Sequence, residues 1–329
     1  MLEEIIQSCC TGFGDCVTGY VSTYIFKKQI EKLYLHKEVK LSIGWMCVRC
    51  PYIKQEHMFR GRIIRRKMSH VNCLYSGTDG TLAFTNYYKS PKMLHDLHCI
   101  SHLKLTINQY IGKCLIDEQT SRDEIKRLTF EAYDYFWNHV IDHSRISGPG
   151  FPLTPPIFNE NLAVIYVRVG DQYLCPSPED IEGPSSPLQS LIEYYEKIKD
   201  LKLPNNIALI GDVDNQLMNQ AYQSVYGSNQ HLVELSGSIS HSVRPLQEQQ
   251  WLKIFHDLYL MLYTKHVVIL NNFSNFPRIV LFLKSQNKCL YFLKDDKILS
   301  INSENEANEA NEANGDYDKS TLFAKHYQF

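Results

Sequence analysis

Arg168 closes the apolar run LAVIYVR and is followed at once by Val169, Gly170 and Asp171. A guanidinium at the mouth of a buried strand offers a rigid fork of N–H donors to a phosphate or carboxylate, and a low dielectric strengthens that contact. The same arginine could instead be structural, tied to Asp171 to hold its loop, and spacing alone leaves both readings open. Near the start, CTGFGDC sets Gly12 and Gly14 just ahead of a helical stretch. Glycines there let backbone N–H groups approach a phosphate or sugar closely, and they also make ordinary turns. IALIGDVD is an apolar run ending in Asp212 and Asp214, two carboxylates able to hold a divalent cation against a diphosphate. Cys47 and Cys50, with His70 and Cys73, have a spacing compatible with a structural zinc.

These residues need elements to position them. From Leu162 onward, apolar runs at 164–169, 206–211, 231–235, 266–270 and 288–293 read as strands. The stretches between them, PLQSLIEYYEKIKDL, NQLMNQAYQSVYG, PLQEQQWLKIFHDLYLMLYTK and FPRIVLFLKSQ, are helical and long enough for crossovers. Strands alternating with helices predict a doubly wound parallel sheet. Ligands of such sheets collect outside the carboxyl ends of the strands. Arg168, Asp212 with Asp214, His241 and the segment NNFSNFPR are therefore expected to open onto one crevice.

The first half is less regular. In DCVTGYVSTYIFKKQIEK, Val17, Tyr20, Val21, Tyr24 and Ile25 recur at helical spacing, and KLYLH after it reads as a strand. A further helix is expected over 123–143. Gly and Pro concentrate in SGPGFPLTPPIFNEN, which predicts a linker over 147–161 and domains at 1–155 and 156–300. The last stretch, 301–329, is a low-complexity acidic tail and a C-terminal segment: 301–315, with NEANEANEANG, has too few apolar residues to order itself, and YDKSTLFAKHYQF follows it.

The 329 residues carry 34 Lys and Arg against 36 Asp and Glu, a formal net charge of −2, which is no footprint of a nucleic-acid binder. No apolar run is long enough to span a bilayer. The start MLEEIIQSCC lacks the basic and then apolar pattern of a signal peptide, so a cytoplasmic protein with reduced cysteines is expected.

GFGDCVTGYVSTYIFKK, YVRVGD, LIGDVD and DLYLMLYTKHVVILNNFSNFPR occur in the order seen in the fucosyltransferase superfamily, which the chain resembles in outline over most of its length. That family comprises α1,2- and α1,6-fucosyltransferases and protein O-fucosyltransferases. The resemblance implies an α/β GT-B fold, two Rossmann-like domains facing across a cleft, the C-terminal one a doubly wound parallel sheet that holds the sugar nucleotide. It implies inverting, metal-independent transfer of fucose from GDP-fucose to a glycan or protein hydroxyl, with no cofactor besides that donor. Arg168 would grip the donor diphosphate and Asp171 shape its loop. Asp212 would border the base pocket, and Asp257, Ser274, Asn275 and Phe276 would contact the nucleotide. Gly12, Phe13 and Gly14 would lie near the fucose, with Asp15 or His241 accepting the acceptor's proton. Tyr166, Val169 and Pro277 stand where the family often has histidine, arginine and serine. Two alternatives stay open: a sugar- or nucleotide-binding protein that kept the fold without the chemistry, and a metal-dependent GT-A enzyme using Asp212 and Asp214. Eukaryotic members work in the secretory pathway, so the missing signal points to a bacterial or viral setting.

Overall fold

The computed structural model describes residues 1–9, 12–46, 50–60, 68–73, 79–146, 161–168, 187–227, 231–233, 248–270, 275–283, 289–294 and 297–301. The chain divides into two compact units, one spanning Met1–Ile146 and the other holding the strands and helices that follow. The expected linker, except Asn161, and the acidic segment beyond Ile301 lie outside the described residues.

The first unit contains β1 (Glu4–Cys9), α1 (Phe13–Ile30), β2 (Lys40–Met46), β3 (Met68–Cys73), α2 (Asp79–Tyr87), α3 (Pro91–Cys99), β4 (His102–Ile107), α4 (Arg122–Tyr135) and the single turn α5 (His143–Ile146). Its four strands run in the order β2-β1-β4-β3, every pair parallel. Ile5, Ile6, Leu103, Leu105 and Ile107 are buried at the centre of this sheet. The chain leaves β1 to one side through α1 and returns on the other side through β4, so the sheet's topological switch point lies between these two strands.

Helix α1 buries the expected face, Val17, Tyr20, Val21, Tyr24 and Ile25, and buries Thr18, Ser22 and Thr23 as well. Their hydroxyls are satisfied: Thr18 Oγ1 donates to Gly14 O at 3.0 Å, Thr23 Oγ1 to Gly19 O at 2.8 Å, and Ser22 Oγ to Gln109 O at 2.8 Å. A helix so enclosed shows a blurred amphipathic stripe in sequence. KLYLH is not a strand. The chain continues helically through a widened turn, Glu31–Leu35, closed by His36 N–H on Glu31 O at 2.8 Å, and stops at His36 with φ 48°. Extending an existing helix fixes one residue per bond, whereas a new element needs its own nucleus, and the place beside β1 belongs to Lys40–Met46. The expected helix at 123–143 is α4, capped by Ser121 Oγ on Glu124 N–H at 3.2 Å, followed by a widened turn at Phe136–Val140.

The second unit contains β5 (Leu162–Val167), α6 (Pro187–Lys197), β6 (Asn206–Gly211), α7 (Asn215–Tyr226), β7 (His231–Leu232), α8 (Glu248–Tyr263), β8 (His266–Ile269), α9 (Asn275–Leu283), β9 (Cys289–Lys294) and β10 (Lys297–Ile301). The order is β10-β9-β8-β5-β6-β7, parallel except for β10, which closes one edge as an antiparallel hairpin. Each of the five expected strands is present, and β10 is an addition. All six residues of β5 are buried, as a strand covered on both faces requires. Ala163, Ile165 and Val167 pack with Leu191 and Tyr195 of α6 and with Met218 and Tyr222 of α7. Strand alternation turns Val164, Tyr166 and Arg168 to the other face, where the Phe276 ring at the start of α9 lies 5.9 Å from Tyr166.

Gly19 shows how closely α1 is seated. A Cβ there would fall 2.0 Å from the Ile107 carbonyl oxygen of β4, a backbone atom that cannot step aside. Gly19→Ala is expected to destabilise the protein by about 2–4 kcal/mol through overpacking. Urea unfolding followed by circular dichroism measures this as a lowered midpoint.

Candidate functional site

In the second unit the switch point lies between β5 and β8, and Arg168 leaves β5 there. The two strands stay paired to their ends, with Leu270 N–H donating to Tyr166 O at 2.9 Å. On the other side of β5, the register pairs Val167 with Gly211, so Arg168 and Asp212 step off the sheet together. Their side chains meet, Arg168 Nε lying 3.6 Å from Asp212 Oδ2. The arginine keeps 30% of its side chain exposed and the aspartate 11%, so the cation remains reachable while its counter-ion is largely enclosed. Gly211 allows this approach, since a Cβ there would lie 2.1 Å from the Val167 carbonyl oxygen. The pair holds the guanidinium at the carboxyl edge of the sheet, where a ligand's phosphates would gain from it and from the helix N-termini of the same edge.

Asp214 has a different duty. It caps α7, its Oδ1 accepting from Gln216 N–H at 2.9 Å and Leu217 N–H at 3.3 Å. The two carboxylates of GDVD thus serve a guanidinium and a helix end respectively. Among the described residues no group of three His, Cys, Asp or Glu side chains is placed to hold a metal ion. Of the candidate zinc ligands, Cys50 and Cys73 are buried, His70 Nε2 lies 2.9 Å from Thr106 Oγ1, and Cys47 is outside the described residues. Burial pushes both Cys50 and Cys73 up to about 12, which keeps them as thiols.

Asn275 and Phe276 begin α9 at the same carboxyl edge. Arg278, one turn further on, donates from Nη1 to Asn275 Oδ1 at 2.8 Å. Arg278 closes the segment NNFSNFPR that the sequence placed at this crevice, but its contact with Asn275 was not expected. Asp171, His241 and Ser274 lie outside the described residues.

Asp257 is elsewhere. It sits in α8 about 13 Å along the helix from Glu248, since each residue rises about 1.5 Å, and it is buried in the interior. Lys253 Nζ grips both its oxygens, at 2.5 and 2.6 Å. This buried ion pair one turn apart is a structural tie of α8, and its lysine also went unnoticed in the sequence. Next to it, His256 Nδ1 lies 3.9 Å from Asp257 Oδ1, and burial together with the Lys253 ammonium lowers the imidazole to about 4.

In the first unit, Gly12, Phe13, Gly14 and Asp15 form the entry to α1 at the carboxyl side of β1. Gly12 takes the N-cap position, and its carbonyl accepts from Cys16 N–H at 3.0 Å. The Phe13 ring is 2% exposed and packs 6.4 Å from Phe136, so this residue can meet a ligand through its backbone alone. Asp15 is half-buried in the first turn, where the helix dipole favours a carboxylate. A cavity of about 510 Å³ opens at the opposite, amino end of this sheet, between Glu4, Lys40, Phe59 and His102. Its Glu4 carboxylate is held by Ser42, by Lys40 at 3.4 Å and by His102 at 3.4 Å.

Two α/β units, each a parallel sheet with a glycine or arginine at the carboxyl edge beside its switch point, define a GT-B-like fold. Comparison with solved structures agrees. The structure is similar to NodZ α-1,6-fucosyltransferase co-crystallised with GDP, with TM-score 0.51 and 15% identity over 92% of this chain and 99% of that one. It is similar also to the fucosyltransferase NodZ from Bradyrhizobium, with TM-score 0.50, 15% identity and the same coverage. No family model matches the sequence, and no curated protein matches it either. No helix among the described residues is long and apolar enough to cross a membrane.

The buried imidazole carries a pH dependence. His256 is neutral in the fold and binds a proton near its ordinary value of 6.5 once unfolded, so below pH 6.5 the unfolded state takes up the extra proton. Its contribution to stability is complete above pH 6.5 and is lost as pH falls towards 4, with a slope of at most about 1.4 kcal/mol per pH unit. Urea midpoints at pH 7 and pH 5 are expected to differ more for the native sequence than for His256→Leu.

Proposed function

We propose that this protein is a glycosyltransferase that transfers fucose from GDP-fucose to a hydroxyl of a glycan or protein, with inversion and without a metal. The observation that carries this reading is the Arg168 guanidinium, fixed by Asp212 at 3.6 Å and still 30% exposed at the switch point of the second sheet. Cleavage of a sugar–phosphate bond builds negative charge on the departing diphosphate. A preorganised cation stabilises that charge more in the transition state than in the ground state, with no reorganisation during the reaction. Asp212 holds the fork's orientation through Nε. The GT-B-like fold, similar to that of a fucosyltransferase co-crystallised with GDP, supports the choice of donor.

In this reading Asp171, Ser274, Asn275 and Phe276 complete the donor site, and Gly12 and Gly14 allow close backbone approach on the acceptor side. Asp15 or His241 takes the proton of the attacking hydroxyl, as an acid–base group positioned beside it would. Domains at 1–155 and 156–300 divide acceptor and donor binding between them.

GDP release from GDP-fucose, followed with and without an acceptor panel, tests the assignment. Arg168→Ala is expected to lower turnover by about a hundredfold or more, and Arg168→Lys to recover only part of it, because lysine keeps the charge and loses the fork. Turnover unchanged in Arg168→Ala would overturn the proposal.

A further inference from the structure

We propose that the cavity at the amino edge of the first sheet is a binding site for a neutral saccharide, separate from the edge that carries Arg168. Its floor is set by strand register. Glu4, Lys40 and His102 open β1, β2 and β4, and the parallel pairing aligns Glu4 with Lys40 on one side and with His102 on the other. Residues in register on neighbouring strands share a face of the sheet, so the three side chains stand together, with Ser42 two residues further along β2. One wall is the chain at Met58 and Phe59, fastened to the edge strand β2 by Phe59 N–H on Ile43 O at 2.8 Å. The Phe59 ring meets the His102 imidazole edge-on, with centroids 5.9 Å apart. Gln55 and Arg60, whose side chains bond to each other, complete the rim. The enclosed volume of about 510 Å³ falls in the range of small-molecule sites, roughly 300–1,000 Å³.

The lining selects the ligand's chemistry. Glu4 and Glu56 are acidic, Lys40 and Arg60 basic. An anion would face the Glu4 carboxylate and a cation the two basic side chains, whereas hydroxyls, each a donor and an acceptor, can meet both signs. The Glu4 side chain is 11% exposed, and an ionised carboxylate has about four acceptor positions. Ser42 Oγ bonds to it directly, while Lys40 Nζ and His102 Nε2 each stand at 3.4 Å, longer than a full hydrogen bond. A ligand hydroxyl can therefore bond to Glu4 without displacing a tight partner. Ser101 Oγ, 2.7 Å from Nδ1, steadies the imidazole. Phe59 and Met58 add apolar surface, which has no use for a bare phosphate. A pyranose, polar around its rim and apolar across its C–H face, matches both halves of this lining. The site does not depend on the role read for Arg168.

Titration of the full chain with methyl hexopyranosides, plain and N-acetylated, followed by saturation-transfer NMR, tests this. At least one of these sugars is expected to bind, Phe59→Ala and Arg60→Ala are each expected to weaken it by about tenfold, and Arg168→Ala is expected to leave it unchanged. Should Phe59→Ala fail to fold, Arg60→Ala carries the test, since the Arg60 side chain is exposed. No binding by any sugar of the panel, binding indifferent to both substitutions, or binding lost in Arg168→Ala would overturn the inference. The reading of Arg168 is judged separately, by GDP release from GDP-fucose.

Discussion

A guanidinium at the end of a buried strand has to be compensated, and the way this one is compensated organises the site. Arg168 and Asp212 come off neighbouring parallel strands in register and meet at 3.6 Å. The carboxylate is enclosed and the cation is not. An ion pair with that asymmetry fixes direction more than it adds stability, since desolvating Asp212 offsets much of the Coulomb gain. Gly211 lets the strands come close, and the apolar faces of β5, packed on α6 and α7 on one side and α9 on the other, keep the strand end from shifting. The chemistry proposed for Arg168 depends on this rigidity, because a donor that must reorganise during the reaction stabilises the transition state less.

The same logic appears twice in the chain. In each unit the strand order reverses at one point of a parallel sheet, and at that point the chain places groups suited to an anion: a helix entry at Gly12 in the first unit, a paired arginine in the second. Parallel sheets align their helix N-termini at the carboxyl edge, so sites there come from topology before any particular side chain is chosen. Asp214 and Asp257 illustrate the converse. Each looks chemical in sequence, and each is engaged in architecture, one capping a helix and the other pairing with a buried lysine.

How much of this was legible in the sequence follows from burial. Strands β5, β6 and β8 are buried on both faces, and all four central strands read as continuous apolar runs, so the second sheet could be laid out in order. The first sheet could not. EIIQSC, MSHVNC and HLKLTI mix polar residues into short strands, and some of these make contacts that have no local signature, such as Glu4 with Ser42 or His70 with Thr106. KLYLH has a strand's alternation, yet the preceding helix runs on through it. For the site, Arg168 and Asp212 were visible as strand ends, but their pairing depends on a register that no single strand carries. The pairings of Lys253 and Arg278 were not visible, because a cation three or four residues from its partner looks the same on an exposed helix face as on a buried one.

The most direct test of the central claim is a crystal structure of the full chain grown with GDP. The account predicts the diphosphate at the carboxyl edge of the six-stranded sheet, with phosphate oxygens about 3 Å from the Arg168 guanidinium and the Asp212 contact retained. Nucleotide bound away from Arg168, whether at the amino edge of either sheet or against the entry to α1 alone, would contradict it.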